Sequence, residues 1–216
     1  MDIKDFSTGM NNFQTNELIG RDKFKMILDY HNTDCYFTSG EYDVYDAYYF
    51  DNENNKYIVE IKDRQISHTA YKDFVFEVDK YNRLRYEMQR NNQIKGIYYV
   101  NFFTDNYFAV WDVTLIDQTP ILKSCRRHTA INTGYKDKMV YLLELNNAVT
   151  VGKVTINGIK YERTKFTQNF SETTPGNMDR IKRDKQRKWT DCFTSYQRDF
   201  KRLYQDVSRK QKEEAS

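Results

Sequence analysis

Two charged side chains in the middle of an otherwise apolar strand constrain this chain more than any other feature. The segment Tyr57-Ile58-Val59-Glu60-Ile61-Lys62-Asp63-Arg64 reads as a β-strand. Alternation places Ile58, Glu60, Lys62 and Arg64 on one face and Tyr57, Val59 and Ile61 on the other. Both faces begin apolar, which predicts a central strand covered on two sides. Glu60 and Lys62 then enter the interior side by side, which is costly unless they pair or meet a ligand.

A third charge joins them through a hairpin. Residues 36–50 and 56–66 are rich in Tyr, Val and Ile, and the polar stretch Asp51-Asn52-Glu53-Asn54-Asn55 separates them. If Phe50 pairs with Lys56, Asp46 sits directly across from Glu60 on the same face. Asp43 then falls opposite Asp63 and points to the other side. This register selects Asp46 over Asp43, and a one-residue slip removes the coincidence.

The remaining pattern predicts an α/β fold. Residues 13–31 read as a helix, capped by Thr15 or Asn16, with Leu18, Ile19, Phe24, Ile27 and Leu28 on one stripe. Glu17 projects toward the same face, either solvated near the helix end or aimed at a polar site. Residues 69–90 read as a second helix, with Phe74, Val78, Tyr81 and Met88 at near-heptad spacing. Lys80 and Tyr81 face either the cleft or, for Tyr81, the core. Residues 94–114 form a hairpin about Thr104-Asp105-Asn106, and its first strand is nearly all apolar, as an interior strand is. Residues 115–135 read as irregular and basic, 138–145 as a strand, and 149–161 as a hairpin about Asn157-Gly158. Helices and strands in this order suit a central mixed sheet flanked by helices.

Residues 1–175 form the expected domain, β-rich after about 115, and 176–216 a basic C-terminal helical extension. In that extension Trp189, Phe193, Tyr196, Phe200, Leu203 and Val207 make a heptad seam, suited to packing on its own domain or on a second copy in a homodimer. It carries 12 Lys and Arg against 7 Asp and Glu, while the whole chain is only +3. The basic excess therefore belongs to this segment. It reads either as a solubilising face or as a surface for DNA, through Arg180, Lys182, Arg183 and Lys185. Arg126 and Arg127 form a second basic cluster.

Other classes are set aside by composition. No apolar run approaches the ~20 residues of a membrane span, and the N-terminus lacks a secretory signal, so a cytoplasmic protein with no membrane partner is expected. Three scattered Cys suit a reducing compartment, and three His argue against a His-rich metal site. With only 9 Leu, the 18 Tyr and 14 Phe must carry much of the burial.

Two carboxylates about 5 Å apart on neighbouring strands repel unless a cation or proton intervenes. Hard oxygen ligands suit Mg²⁺ or Mn²⁺ better than Zn²⁺. A Lys beside such a metal orients or polarises a water, a set suited to phosphodiester hydrolysis. The plainer reading is an ion pair of Lys62 with Asp46 or Glu60. An acidic-x-Lys triplet alone is weak evidence, since Asp2-Ile3-Lys4 and Asp199-Phe200-Lys201 repeat it outside any strand.

At these residues the sequence resembles the PD-(D/E)XK nuclease superfamily, the restriction endonuclease-like and Holliday junction resolvase-like enzymes. Asp46 and Glu60-Ile61-Lys62 stand 14 residues apart across a hairpin, with an apolar lead-in at Tyr57-Ile58-Val59. The family core is a helix, a three-strand meander, a helix and a further strand, and the resemblance covers roughly residues 13–114. The chain departs from the motif in having no Pro before Asp46. The resemblance implies that Asp46, Glu60 and the Ile61 carbonyl hold Mg²⁺, with Glu17 completing the set. It implies that Lys62 positions the attacking water and that DNA is hydrolysed to 5′-phosphate ends. Arg64 then touches the scissile phosphate or pairs with a carboxylate. Compact size and many Asn, Lys, Tyr and Ile give the chain a phage-like flavour, compatible with a resolvase or DNA-processing nuclease. A non-catalytic nucleic-acid binder on a nuclease-like scaffold is the competing reading.

Overall fold

The computed structural model describes residues 12–39, 43–126, 134–155 and 157–164. In chain order the elements are α1 (Asn12–Tyr30), β1 (Cys35–Phe37), β2 (Ala47–Phe50), β3 (Lys56–Asp63), β4 (Asp73–Glu77), α2 (Val78–Arg90), β5 (Ile94–Phe102), β6 (Tyr107–Asp112), β7 (Ile121–Arg126), β8 (Tyr135–Glu144), β9 (Thr150–Thr155) and β10 (Gly158–Thr164). Among the described residues a seven-stranded sheet runs β1-β2-β3-β5-β6-β9-β10, and a three-stranded sheet runs β4-β8-β7. The large sheet is mixed: β3 and β5 are parallel, joined across α2, and its other neighbouring pairs are antiparallel.

The hairpin register is the expected one, Phe50 on Lys56 through Ala47 on Val59. Its turn is fixed by Asp51, whose carboxylate accepts the N–H groups of Glu53 and Asn55, both at 2.9 Å. Asn54 supplies the left-handed residue at φ 61°. The helix α1 stops the same way: Asn32 takes φ 54°, and the Thr33 N–H donates back to the Leu28 carbonyl at 2.9 Å.

Both faces of the large sheet are covered. On one, Phe24, Ile27 and Leu28 of α1 pack over Tyr49, Val59, Val100 and Phe102. On the other, Leu84 of α2 and Phe74 and Phe76 of β4 pack over Ile58, Ile97, Tyr99 and Trp111. This explains why β3 and β5 lack clean polar alternation. Aromatic rings fill much of both layers, as the shortage of Leu requires. Gly20 lets α1 approach closely, since a Cβ there would meet Ile61 at 3.0 Å.

The structure corrects three sequence expectations. Residues 69–77 are not helical: Phe74 and Phe76 belong to β4, paired with Leu143 and Tyr141 of β8. Phe74, Val78 and Tyr81 fit a helical period while Phe74, Phe76 and Val78 fit a two-residue one, and a partner strand more than 60 residues away decides between them. Within 115–135, residues 121–126 form a strand, hidden from hydrophobicity because Leu122 is 66% exposed. Residues 36–50 are not one strand: β1 ends at Phe37 and β2 begins only at Ala47. The C-terminal helix and its heptad seam lie outside the described residues.

A cavity-free packing test is available at β9. A Cβ on Gly152 would sit 2.7 Å from the fully buried Phe108 ring. Gly152→Ala is expected to lower unfolding free energy by about 1–3 kcal/mol, read from the urea midpoint.

Candidate functional site

Asp46 closes the hairpin from just outside β2. Its N–H donates to the Val59 carbonyl at 2.9 Å, and its Oδ2 accepts the Ile61 N–H at 2.6 Å. The carboxylate thus replaces a backbone acceptor at the point where the ladder ends. Thr38 holds this corner: its N–H donates to the Asp46 carbonyl at 3.1 Å, and its Oγ1 donates to the Tyr45 carbonyl at 2.7 Å. Arg21 of α1 in turn donates to the Thr38 carbonyl at 2.6 Å and to Glu17 Oε1 at 2.7 Å. Glu17 therefore sits at the far end of a relay through Arg21 and Thr38, engaged by Arg21. The ligand role that the family resemblance implies for it has no support in this geometry.

Glu60 is the centre of charge. It is 1% exposed, with Lys62 Nζ at 2.8 Å from Oε1 and Lys80 Nζ at 2.7 Å from Oε2. Lys80 comes from the first turns of α2 and also donates to the Val44 carbonyl at 3.3 Å. Tyr81 beside it packs into the core, as expected. Lys62 keeps 44% of its side chain accessible against 20% for Lys80, although its ammonium is drawn in to the buried Glu60.

The titration pattern follows. Burial works against the Glu60 carboxylate, but Lys62 and Lys80 outweigh it and hold the group below its ordinary range. Glu60 likewise pushes Lys62 up, against burial. Asp46 goes the other way: burial first, then the Glu60 charge, push it up to about 7, and the nearby lysines only partly offset this. A point where a carboxylate holds its proton that tightly is one where a further positive charge is welcome.

Beyond Glu60 the same face carries Arg64 and Asn101. Arg64 donates to the Tyr99 hydroxyl at 2.6 Å and to the Val75 carbonyl at 3.2 Å. Its guanidinium is turned to β5 and β4 and makes no ion pair with a carboxylate among the described residues. Asn101 lies beside Lys62 in the β3–β5 ladder and is fully buried. Neither atom of its carboxamide, nor Arg64 Nε, has a hydrogen-bond partner among the described residues. Sequence reasoning passed over Asn101, although one amide inside Ile97-Tyr98-Tyr99-Val100-Asn101-Phe102-Phe103 was a visible signal.

The structure therefore brings together Asp46, Glu60, Ile61 and Lys62, with Lys80 added. Asp43 is exposed, and Asp63 is ion-paired with Lys23. Arg126 ends β7 in the small sheet. Arg127, Arg180, Lys182, Arg183 and Lys185 lie outside the described residues. Among the described residues no three His, Cys, Asp or Glu side chains converge as a metal cage, and no helix is long and apolar enough to cross a membrane. No family model, no curated protein and no solved structure matches the chain.

Two outcomes test this account. Asp46 binds its proton more tightly folded than unfolded, so stability falls as pH rises from about 4 to about 7. Asp46→Asn removes that loss and should gain on the order of 2 kcal/mol over the parent at pH 8, but little at pH 4, in urea titrations. Asn101→Leu, which replaces the orphaned amide by an apolar side chain of the same heavy-atom count, should be neutral or more stable by about 1 kcal/mol in the same titrations.

Proposed function

We propose that this chain is a Mg²⁺- or Mn²⁺-dependent nuclease with a PD-(D/E)XK-type site, hydrolysing DNA phosphodiesters to 5′-phosphate ends. The observation that carries the reading is the meeting of Asp46 and Glu60 at the end of the β2–β3 hairpin with Lys62 alongside, where burial and then the Glu60 charge raise Asp46 to about 7. The element order supports it. Helix α1, the β1-β2-β3 meander, α2 and the parallel strand β5 follow one another as in that family's core, with β4 as an insertion.

The donor set suits the ion. Mg²⁺ takes few protein ligands, often one or two carboxylates, and fills the rest of its shell with water and substrate phosphate. The carboxylates of Asp46 and Glu60 are the residues that would hold it. In β-strand geometry the Ile61 carbonyl points to the same side as its N–H, toward Asp46. Bound there, the ion neutralises charge on a phosphate oxygen and lowers the pKa of a coordinated water. Asp46 must be ionised to take part, so the cation competes with its proton and binds more weakly as pH falls below about 7. Lys62, anchored by Glu60 yet accessible, donates a hydrogen bond to the attacking water or the phosphate. Water oxygen then bonds to phosphorus as it sheds a proton to solvent and the bond to O3′ breaks, and O3′ takes up a proton from solvent, giving a 3′-hydroxyl and a 5′-phosphate.

One observation favours the competing reading of a non-catalytic binder. Both Glu60 oxygens already have an ammonium partner, so the cluster is satisfied as an ion-pair network. A nuclease panel separates the two: plasmid, linear duplex, single strand and a four-way junction, each with Mg²⁺ and with EDTA. Cleavage that needs the metal, and that falls 100-fold or more in Lys62→Ala and Asp46→Asn, is expected. Retention of DNA with no cut on any substrate supports the binder.

A further inference from the structure

We propose that the sheet face beside the candidate site is a stacking platform for single-stranded nucleic acid, so that the enzyme's substrate carries an unpaired strand. The link to cleavage rests on the nuclease reading, and the binding itself does not. Alternation from Asp46 puts Tyr48 and Phe50 on the face that carries Glu60 and Lys62. Tyr36 of β1 pairs with Tyr48 and shares that face. Tyr48 lies two residues, or about 7 Å, along the strand from Asp46.

The rings there are ordered for stacking. Tyr36 and Tyr48 are stacked, with centroids 5.1 Å apart and planes 15° apart. Phe50 and Tyr45 stand edge-on to Tyr48, at 90° and 89°. Lys56 Nζ sits 4.1 Å from the Tyr48 centroid and donates to the Tyr45 hydroxyl at 3.0 Å. Tyr36 is 44% exposed at the outermost strand among the described residues. Arg83 is exposed one turn along α2 from Lys80, the helix residue that reaches Glu60.

The chemistry selects the occupant. An apolar partner would strip water from the Lys56 ammonium and the tyrosine hydroxyls. A nucleotide strand instead lays a base on the ring and offers its phosphate to the lysine. A duplex keeps its base faces covered and presents phosphates and base edges, which this shelf has no groove-reading element to use. Tyr48 already carries Tyr36 and Lys56 on its ring, so the base stacks on the outer side of Tyr36, and continuity with the Asp46 corner leads its backbone toward Lys62.

The test is fluorescence anisotropy with the full-length chain in EDTA, which reads binding without metal-dependent cleavage. The probes are one mixed sequence as labelled single-stranded DNA, single-stranded RNA and duplex DNA. Single strands should bind more tightly than duplex, and the DNA and RNA arms identify which strand is preferred. Tyr36→Leu should weaken single-strand binding about tenfold with duplex binding unchanged, and Tyr36→Phe should restore it. Tyr36 lies at the exposed edge, and a thermal melt of each variant confirms the fold. Equal losses on duplex and single strand, no loss, or a Phe variant as weak as Leu would overturn the platform. Because anisotropy in EDTA reads binding without cleavage, a failed nuclease panel leaves this result readable. Cleavage that persists unchanged in Tyr36→Leu on every substrate removes the platform while leaving the nuclease reading intact.

Discussion

A carboxylate with 1% of its surface exposed must be neutralised, and the way Glu60 is neutralised organises this molecule. One ammonium arrives from its own strand two residues on, and the other from α2. The second requires α2, which packs on β5, β8 and β4, to bring its N-terminal turn within a lysine's reach of Glu60. That placement in turn sets the crossover into β5 and the parallel pairing at the heart of the sheet. Removing either lysine leaves charge buried with half its compensation, which costs several-fold more than an exposed pair would.

Asp46 shows the opposite arrangement in the same field. It gains a backbone N–H but lies in the shadow of Glu60, and the lysines that serve Glu60 only partly serve it. The result is a pair of carboxylates with divergent proton affinities. One is ionised at any working pH, and the other changes charge near neutrality. Pairs separated in this way are a recurrent feature of sites that handle protons or cations.

Much of the site was legible because it depends on short-range geometry. A five-residue polar loop and a two-residue strand period fix which side chains face each other, so the Phe50–Lys56 register followed from the sequence alone, while Asp46 comes near Glu60 from just beyond the last ladder pair. Helix α1 was placed to within a residue at each end for a similar reason, its single apolar stripe. What was not legible depends on partners distant in sequence. Nothing local distinguishes β4 from a helix turn, since only β8 gives Phe74 and Phe76 their pairing. Thr38 and Arg21 read as ordinary polar residues until the corner they brace is seen. The strand position of Arg64 likewise says nothing about the carbonyl of Val75 that it meets.

The strand β4 lies between β3, which carries Glu60, and α2, which carries Lys80. Its only ladder partner among the described residues is β8. During folding the hairpin can register early, but the helix that delivers the second ammonium is tethered to a strand whose mate emerges some sixty residues later. A nascent chain halted before residue 135 would hold every charged atom of the cluster and still lack the anchor that seats it. Full compensation of the buried carboxylate is thereby postponed until both sheets have formed, which welds them into one cooperative unit.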